Sequence, residues 1–216
     1  MFQNRLLAGR QLAERLEEYR NNKETIVLAI PRGGVVVGKG ICEELNLPLE
    51  AVSVKKLGAP FNPELAIGAV AMGGNRYIDW EMIKRINVDS QYLDPEVKSK
   101  LKETEERVKK YKIKLEHLLN FSNFILTDDG VATGATTKAA LSVIVNLKIT
   151  SNKKKKIILA VPVISNEVSR QLEKEVSKLI AIEKALDFGA VGQFYNEFHQ
   201  IDDKEVVEIL EKLRRY

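Results

Sequence analysis

The chain has little of what would commit it to a disulfide, a metal cage or a membrane. Cys42 is the only cysteine among 216 residues, which excludes an intramolecular disulfide and leaves nothing like a thiolate zinc site. His117 and His199 are isolated and lack ligand spacing, so neither is assigned as a metal ligand or as a base. The longest apolar run, Ile157 to Ile164, is interrupted by Pro162 and falls well short of the ~20 residues that a membrane helix needs. Near the N-terminus Arg5, Arg10, Glu14 and Arg15 sit among the leucines, so the uninterrupted apolar core of a signal peptide is missing. A dominant sign of charge is missing as well: 34 Lys and Arg are dispersed among 30 Asp and Glu, for a net charge of +4. That balance suits an anionic small molecule and does not demand nucleic acid. The expectation is a soluble, unprocessed, cytoplasmic protein with no membrane partner and no nucleic-acid partner.

What is present is a hydrophobic content of 44%, enough to bury a sizeable core in one domain spanning 1–216. Leu6, Leu7, Leu12, Ala13 and Leu16 recur at helical spacing and predict an amphipathic helix over 3–19. Thr25 to Ile30 reads as a strand, Pro31-Arg32-Gly33-Gly34 as a tight turn, and Val35 to Leu45 as a helix burying Cys42 and Leu45. Leu49 to Val54 supplies a second strand running into Lys55-Lys56, followed by a loop over Gly58 to Pro63. Ala66 to Met72 and Arg76 to Ile78, joined by Gly73-Gly74-Asn75, predict a hairpin. Asp94 as N-cap and Pro95 at the first helical position predict a long charged helix to about Leu119, with Leu101, Val108, Tyr111 and Leu115 as its apolar stripe. Strands and helices then alternate: Phe124 to Thr127, Thr136 to Leu147, Ile157 to Val161, Asn166 to Val176 and Leu179 to Ala185. A last helix runs from Asp203 to Tyr216. Such alternation predicts an α/β fold, a mostly parallel twisted sheet with helices on both faces. The Lys153 to Lys156 patch, lying between a helix and a strand, reads as a solvated turn.

The segment that carries chemistry is Phe124-Ile125-Leu126-Thr127-Asp128-Asp129-Gly130-Val131-Ala132-Thr133-Gly134-Ala135-Thr136-Thr137. It places a buried strand, two adjacent carboxylates at its carboxyl end, and a Gly- and Thr-rich turn feeding a helix. Ligands of open parallel sheets bind outside the carboxyl ends of the strands, and a turn of this kind presents backbone N–H groups and hydroxyls to one point, as a phosphate requires. Carboxylates beside a phosphate would repel it unless they held sugar hydroxyls or a divalent cation. Each element taken singly is ordinary turn and N-cap chemistry, and the specificity lies in the whole string.

This string closely resembles the 5-phosphoribosyl 1-diphosphate (PRPP) signature of the type I phosphoribosyltransferases. The resemblance implies that Asp128 and Asp129 hold the ribose hydroxyls. Thr133, Gly134, Ala135, Thr136 and Thr137 would cradle the 5-phosphate, and magnesium would be held mainly by PRPP oxygens, with no direct protein ligand. Pro31 to Gly34 resembles the diphosphate loop of the family, with Arg32, Gly33 and Gly34 facing the leaving group, often through a cis peptide at the basic residue. Lys55 and Lys56 stand where relatives place further cations for the same diphosphate. Gly58 to Pro63 and the hairpin beyond it occupy the stretch where relatives keep a mobile loop that closes over the site, and the helical and hairpin insertion over about 58–120 is long for the family. The resemblance also implies a small hood over about 186–216. Within the hood, Val191 to Phe198 is similar to a base-gripping segment, with Phe194 or Tyr195 against the acceptor.

Within the family the chain is most similar to members carrying Asp-Asp-Gly, Ala-Thr-Gly and a Lys-Leu-Gly-Ala-Pro-x-Asn-Pro-Glu stretch, and the resemblance does not supply their acceptor. Ala132 stands where purine-salvage members carry an aspartate near the base. The implied reaction is transfer of the phosphoribosyl group to a base or amine with release of diphosphate, and the acceptor expected from Ala132 is not a 6-oxopurine. A PRPP-sensing regulator without catalysis is the rival reading. A homodimer is left open.

Overall fold

The structure is a computed structural model that describes residues 1–148 and 154–214. Five short strands form one parallel sheet: β1 (Thr25–Ala29), β2 (Leu49–Ala51), β6 (Asn123–Thr127), β7 (Lys156–Ser165) and β8 (Lys178–Ala185), in the order β2-β1-β6-β7-β8. Every residue of β1 is buried, as expected for a strand covered on both faces by crossover helices. The chain leaves β1 for β2 on one side and β6 for β7 on the other. Right-handed crossovers therefore place α2 (Gly33–Leu45) and α5 (Ala135–Asn146) on opposite faces. β1 and β6 are hydrogen-bonded neighbours, Thr25 to Asn123 through Ala29 to Thr127, so the strand order reverses between them. A crevice opens at such a switch point, at the carboxyl ends of the two strands. The turns that leave those strands are Pro31 to Gly34 and Asp128 to Gly134.

The first helix, α1 (Arg5–Glu14), is shorter than the periodicity suggests and ends in a single 3-10 turn, Glu17–Tyr19. Ala8, Leu12, Ala13 and Leu16 are buried against the sheet layer while Leu7 is exposed. The C-terminal helix α7 (Asp203–Leu213) buries Val206, Ile209, Leu210 and Leu213, the four positions expected from its sequence. Residues 215 and 216 of that predicted helix, and Lys153 of the basic patch, lie outside the described residues. Lys155 donates to the Ile144 carbonyl at 3.0 Å near the end of α5, a cation placed where the helix dipole favours one.

The stretch between β2 and β6 departs most from expectation. β3 (Val54–Ala59), β4 (Asn62–Ala71) and β5 (Asn75–Ile78) make a separate antiparallel sheet. The chain-bending Gly58 to Pro63 stretch is thus the end of a hairpin rather than a free loop, with Gly58 paired to Ala66 across a register shift. Lys55 and Lys56 lie on β3 rather than after β2. The predicted hairpin of Ala66 to Ile78 is present, and Gly73 and Gly74 supply its positive φ of 72° and 76°. A short helix not anticipated, α3 (Trp80–Arg85), follows. The long helix α4 (Ser90–Lys110) starts one turn earlier than predicted. Its N-cap is Asp89, whose side chain accepts from the Tyr92 N–H, and Pro95 lies inside it. A proline there forgoes one bond to the preceding turn. This unit has its own small core of Leu57, Ile67, Val70, Ile83, Leu93 and Val97. β7 also runs further than expected, through Pro162, where the ladder pairs Val161 with Ala181 and Val163 with Glu183 on either side. None of the described helices is long and apolar enough to cross a membrane.

Candidate functional site

The β1 turn and the β6 turn close on each other. The Ile30 N–H donates to the Thr127 carbonyl at 3.0 Å, the peptide between Pro31 and Arg32 is cis, and α2 begins at once with Gly33. A Cβ on Gly33 would stand 1.8 Å from Asp129 Oδ2, and one on Gly34 would stand 2.9 Å from Asp128 Cα. Only glycine permits this approach, so the two glycines and the acid pair are one construction. Around them lies a cavity of about 610 Å³. Its wall is made by the Pro31 to Gly33 turn, the Asp128 to Gly130 turn, Thr136, Val54, and residues 198–201 of the C-terminal segment.

The carboxylates are not equivalent. Asp128 Oδ1 accepts from the Asp129 N–H at 2.8 Å. Desolvation, and after it the charge of Asp129, push the Asp128 carboxyl well above the ordinary range, because a buried anion beside a like charge is disfavoured. Asp129 Oδ2 accepts from Arg5 Nε at 2.8 Å. Arg5 is only 7% exposed; it also donates to the His199 carbonyl at 2.8 Å, and its guanidinium carbon lies 3.7 Å from the centre of the Phe198 ring.

Beyond the acid pair, Val131 is pinned to β7. Its N–H donates to the Val163 carbonyl at 3.0 Å and its carbonyl accepts from the Ser165 N–H at 2.9 Å. Ala132 and Thr133 are exposed, and Gly134 turns with a φ of 75° into α5. Thr136 reaches the cavity wall. Thr137 is fully buried, and its hydroxyl meets no hydrogen-bond partner among the described residues. The loop therefore delivers free amides at a helix start, with hydroxyls beside them, which is anion-binding geometry.

Arg32 stands at the cavity with its Nη1 3.8 Å from Asp203 Oδ1. Asp203, the first residue of α7, also accepts from Lys110 and from the Tyr111 hydroxyl. Those two hydrogen bonds, Lys110 first, hold its carboxyl below the usual range. Burial, followed by the bond to Asp203, pushes the Tyr111 phenol up.

Other expected residues fall elsewhere. Lys55 Nζ is bound to Glu103 at 2.6 Å and Lys56 Nζ to Glu64 at 2.9 Å; neither lines the cavity, although Val54 beside them does. Phe194 and Tyr195 do not line the cavity either. They are 8% and 5% exposed and pack with Phe2, Ala8, Val163 and Ala185, because the ring of an apolar side chain gains more from that core than from an open cleft. Tyr195 still touches the site from behind, its hydroxyl donating to the Asp129 carbonyl at 2.5 Å, and burial pushes its phenol up. The hood residues at the cavity are Val191 and Phe198 to Ile201. Arg5 and Asp203 had no local signal of a site role, and Phe198 lay in the hood segment without being singled out. Arg5 reads as one charge among several on an amphipathic helix, and Asp203 as a first-turn acid.

A family model described as the phosphoribosyl transferase domain matches residues 2–198. Two Mycobacterium tuberculosis proteins, from strains CDC 1551 and H37Rv, carry the provisional name phosphoribosyl transferase, and each is 34% identical over all 216 residues of the chain. The chain spans about half the length, 47%, of these curated relatives. Among solved structures, the protein TT1426 from Thermus thermophilus is 33% identical with a TM-score of 0.75, covering 100% of both chains. With the family match running from the N-terminal helix through the acid pair and into the hood, the chain belongs to the phosphoribosyl transferase domain family.

Proposed function

We propose that the protein binds PRPP with magnesium and transfers its 5-phosphoribosyl group to a nitrogenous acceptor, releasing diphosphate. One observation carries this reading: the cavity between β1 and β6 gathers Arg32 and Gly33, Asp128 and Asp129, and Thr136 in its lining. These are the three chemistries that a diphosphate, a ribose and a phosphate would meet in order. In this reading the whole chain is one unit, with the 58–120 stretch as an insertion and 186–216 as a hood. Asp128 and Asp129 accept hydrogen bonds from the ribose hydroxyls, the Thr133 to Thr136 turn with the first amides of α5 takes the 5-phosphate with Thr137 buried behind it, and Arg32 with the Gly33 and Gly34 amides faces the diphosphate. Magnesium is carried by oxygens of PRPP, in keeping with its reluctance to shed water for a protein cage, and it supplies charge neutralisation on the leaving group.

The reaction breaks the bond from the sugar C1 to diphosphate and forms one from C1 to the acceptor nitrogen, which gives up its proton. Positive charge grows on the sugar and negative charge on the leaving group, so the protein acts by positioning and electrostatics. A cation forming beside Asp128 and Asp129 favours their ionised state, which offsets the upward push that Asp128 feels in the free protein. Ala132 offers no carboxylate to manage a proton on a purine ring, so the acceptor class is a pyrimidine-like base or another nucleophile rather than a 6-oxopurine.

The test is diphosphate release from PRPP and magnesium across hypoxanthine, guanine, xanthine, adenine, uracil, orotate and simple amines, with chelator controls. Turnover with a pyrimidine or an amine is expected, together with weak PRPP binding once magnesium is removed. Efficient turnover of a 6-oxopurine defeats the acceptor assignment. Tight PRPP binding without turnover of any acceptor makes the protein a PRPP sensor.

A further inference from the structure

Arg5 lies outside every segment in which the resemblance places a site residue, yet its Nε holds Asp129 Oδ2 at 2.8 Å. It is gripped from three sides. Its Nη1 donates to the His199 carbonyl at 2.8 Å, Phe198 stacks against it at 3.7 Å, and a Cβ on Gly33 would come within 2.7 Å of its Nε. The residues before it are stitched to the hood by Phe2 N–H to the Phe194 carbonyl at 2.7 Å, Asn196 N–H to the Phe2 carbonyl at 2.8 Å and Glu197 N–H to the Gln3 carbonyl at 2.9 Å. A guanidinium held in a plane by stacking and two directed bonds fixes whatever it binds, which a solvated cation on a flexible stem does not. Here it binds the oxygen of Asp129 that also abuts Gly33, and the other oxygen, Oδ1, is outside the Arg5 bond on a residue that lines the cavity.

We infer that Arg5 is a positioning residue for the sugar: by holding Asp129 Oδ2 it presents Oδ1 in one orientation to a ribose hydroxyl. The inference rests on the ribose role proposed above for the acid pair. It accounts for a buried arginine at the start of a helix otherwise occupied with packing. The Arg5 charge also opposes the upward push on Asp128, so it keeps negative charge on the pair that must accept the hydroxyls. The other polar groups at the pair are the Tyr195 hydroxyl on the Asp129 carbonyl, the Asp129 N–H on Asp128 and the Asp128 carboxyl, which meets the Asp129 carboxyl; Arg5 is the cation bound to that carboxylate.

The test is calorimetry of magnesium PRPP, ribose 5-phosphate and magnesium diphosphate on the wild-type protein, Arg5→Gln, Arg5→Lys, Asp129→Asn and the Arg5→Gln/Asp129→Asn pair. Arg5→Gln should weaken PRPP and ribose 5-phosphate by the same factor, about ten-fold, the scale of one charge-assisted hydrogen bond, and leave diphosphate within about two-fold. Arg5→Lys should recover part of the loss, and Arg5→Gln should add nothing in the Asp129→Asn background. Equal losses for all three ligands would make Arg5 merely structural. Unchanged or tighter ribose 5-phosphate binding would overturn the inference from the other side, showing Arg5 to be idle or a competitor of the sugar. Either result, alongside wild-type protein that binds PRPP, refutes the role of Arg5 alone. Wild-type protein that binds none of the three refutes the ribose site itself, and this inference with it.

Discussion

Arg5 and Asp129 meet at the carboxyl ends of β1 and β6 with side chains 8% and 16% exposed, whereas Lys56 and Glu64 meet on the antiparallel sheet with side chains 36% and 91% exposed. Both pairs have comparable separations, 2.8 and 2.9 Å. The first is enclosed by glycine backbone, an aromatic ring and the hood, where Coulomb forces are weakly screened. The second stands in water, where a pair contributes about 0–1 kcal/mol. Distance alone does not mark a functional charge; what surrounds the pair does. The parallel sheet supplies such surroundings because its switch point makes a crevice between two turns, and the hairpin, open on its strand edge, does not.

The sharpest attack on this contrast is Asp128→Asn with Asp129→Asn. Loss of two charge-assisted acceptors should lower PRPP affinity on the order of 100-fold or more by calorimetry, with circular dichroism unchanged. Retained affinity in the folded double variant would remove the acid pair from the site. Next in size is Arg32→Ala, expected to weaken diphosphate and PRPP by roughly 10-fold or more while sparing ribose 5-phosphate. Equal losses for the three would reassign Arg32 as an anchor for Asp203 and α7.

A third expectation concerns the cost of the buried acid. The folded protein holds the Asp128 proton to higher pH than the unfolded chain does, so it binds more protons above the ordinary carboxyl value of 3.8. Its stability therefore falls as pH rises through the window from that value up to the raised one. Asp128→Asn, whose amide oxygen can still accept from the Asp129 N–H, should raise Tm by a few degrees at neutral pH, and the difference should vanish in acid. A Tm difference independent of pH would mean that the substitution acts by packing. The smallest effects belong to the exposed sheet: Lys56→Ala and Lys55→Ala should each change PRPP affinity by less than about three-fold and stability by about 0.5 kcal/mol or less. A ten-fold loss for either would return it to the diphosphate site and blur the comparison.

The site was legible in the sequence where its residues are contiguous. Asp128, Asp129 and Gly134 to Thr137 declare a strand, an acid pair and a helix start in one string, and Arg32, Gly33 and Gly34 do so more faintly. The hairpin of Gly58 to Pro63 was not legible, because glycine and proline signal a bend without saying whether strands flank it. The start of α4 was misplaced because Asp94-Pro95 imitates a helix start, and only the bond from the Tyr92 N–H to Asp89 shows which acid caps. The burial of Phe194 and Tyr195 away from the cavity lining was not legible for a different reason: an aromatic at a site and an aromatic in a core share one local pattern.

By itself the sequence determined the alternation of strands and helices, the faces that α2 and α7 bury, and the strand, acid pair and helix start of residues 124–137, because periodicity, capping and turn formation act over a few neighbouring residues. Only the tertiary structure decided that Arg5 reaches across 124 positions to Asp129, that Asp203 holds Arg32, that Lys55 and Lys56 are occupied elsewhere, and that Phe198 rather than Phe194 faces the cavity. Those pairings follow from where the switch point brings distant segments together, and from how deeply each is buried there, which no local pattern encodes.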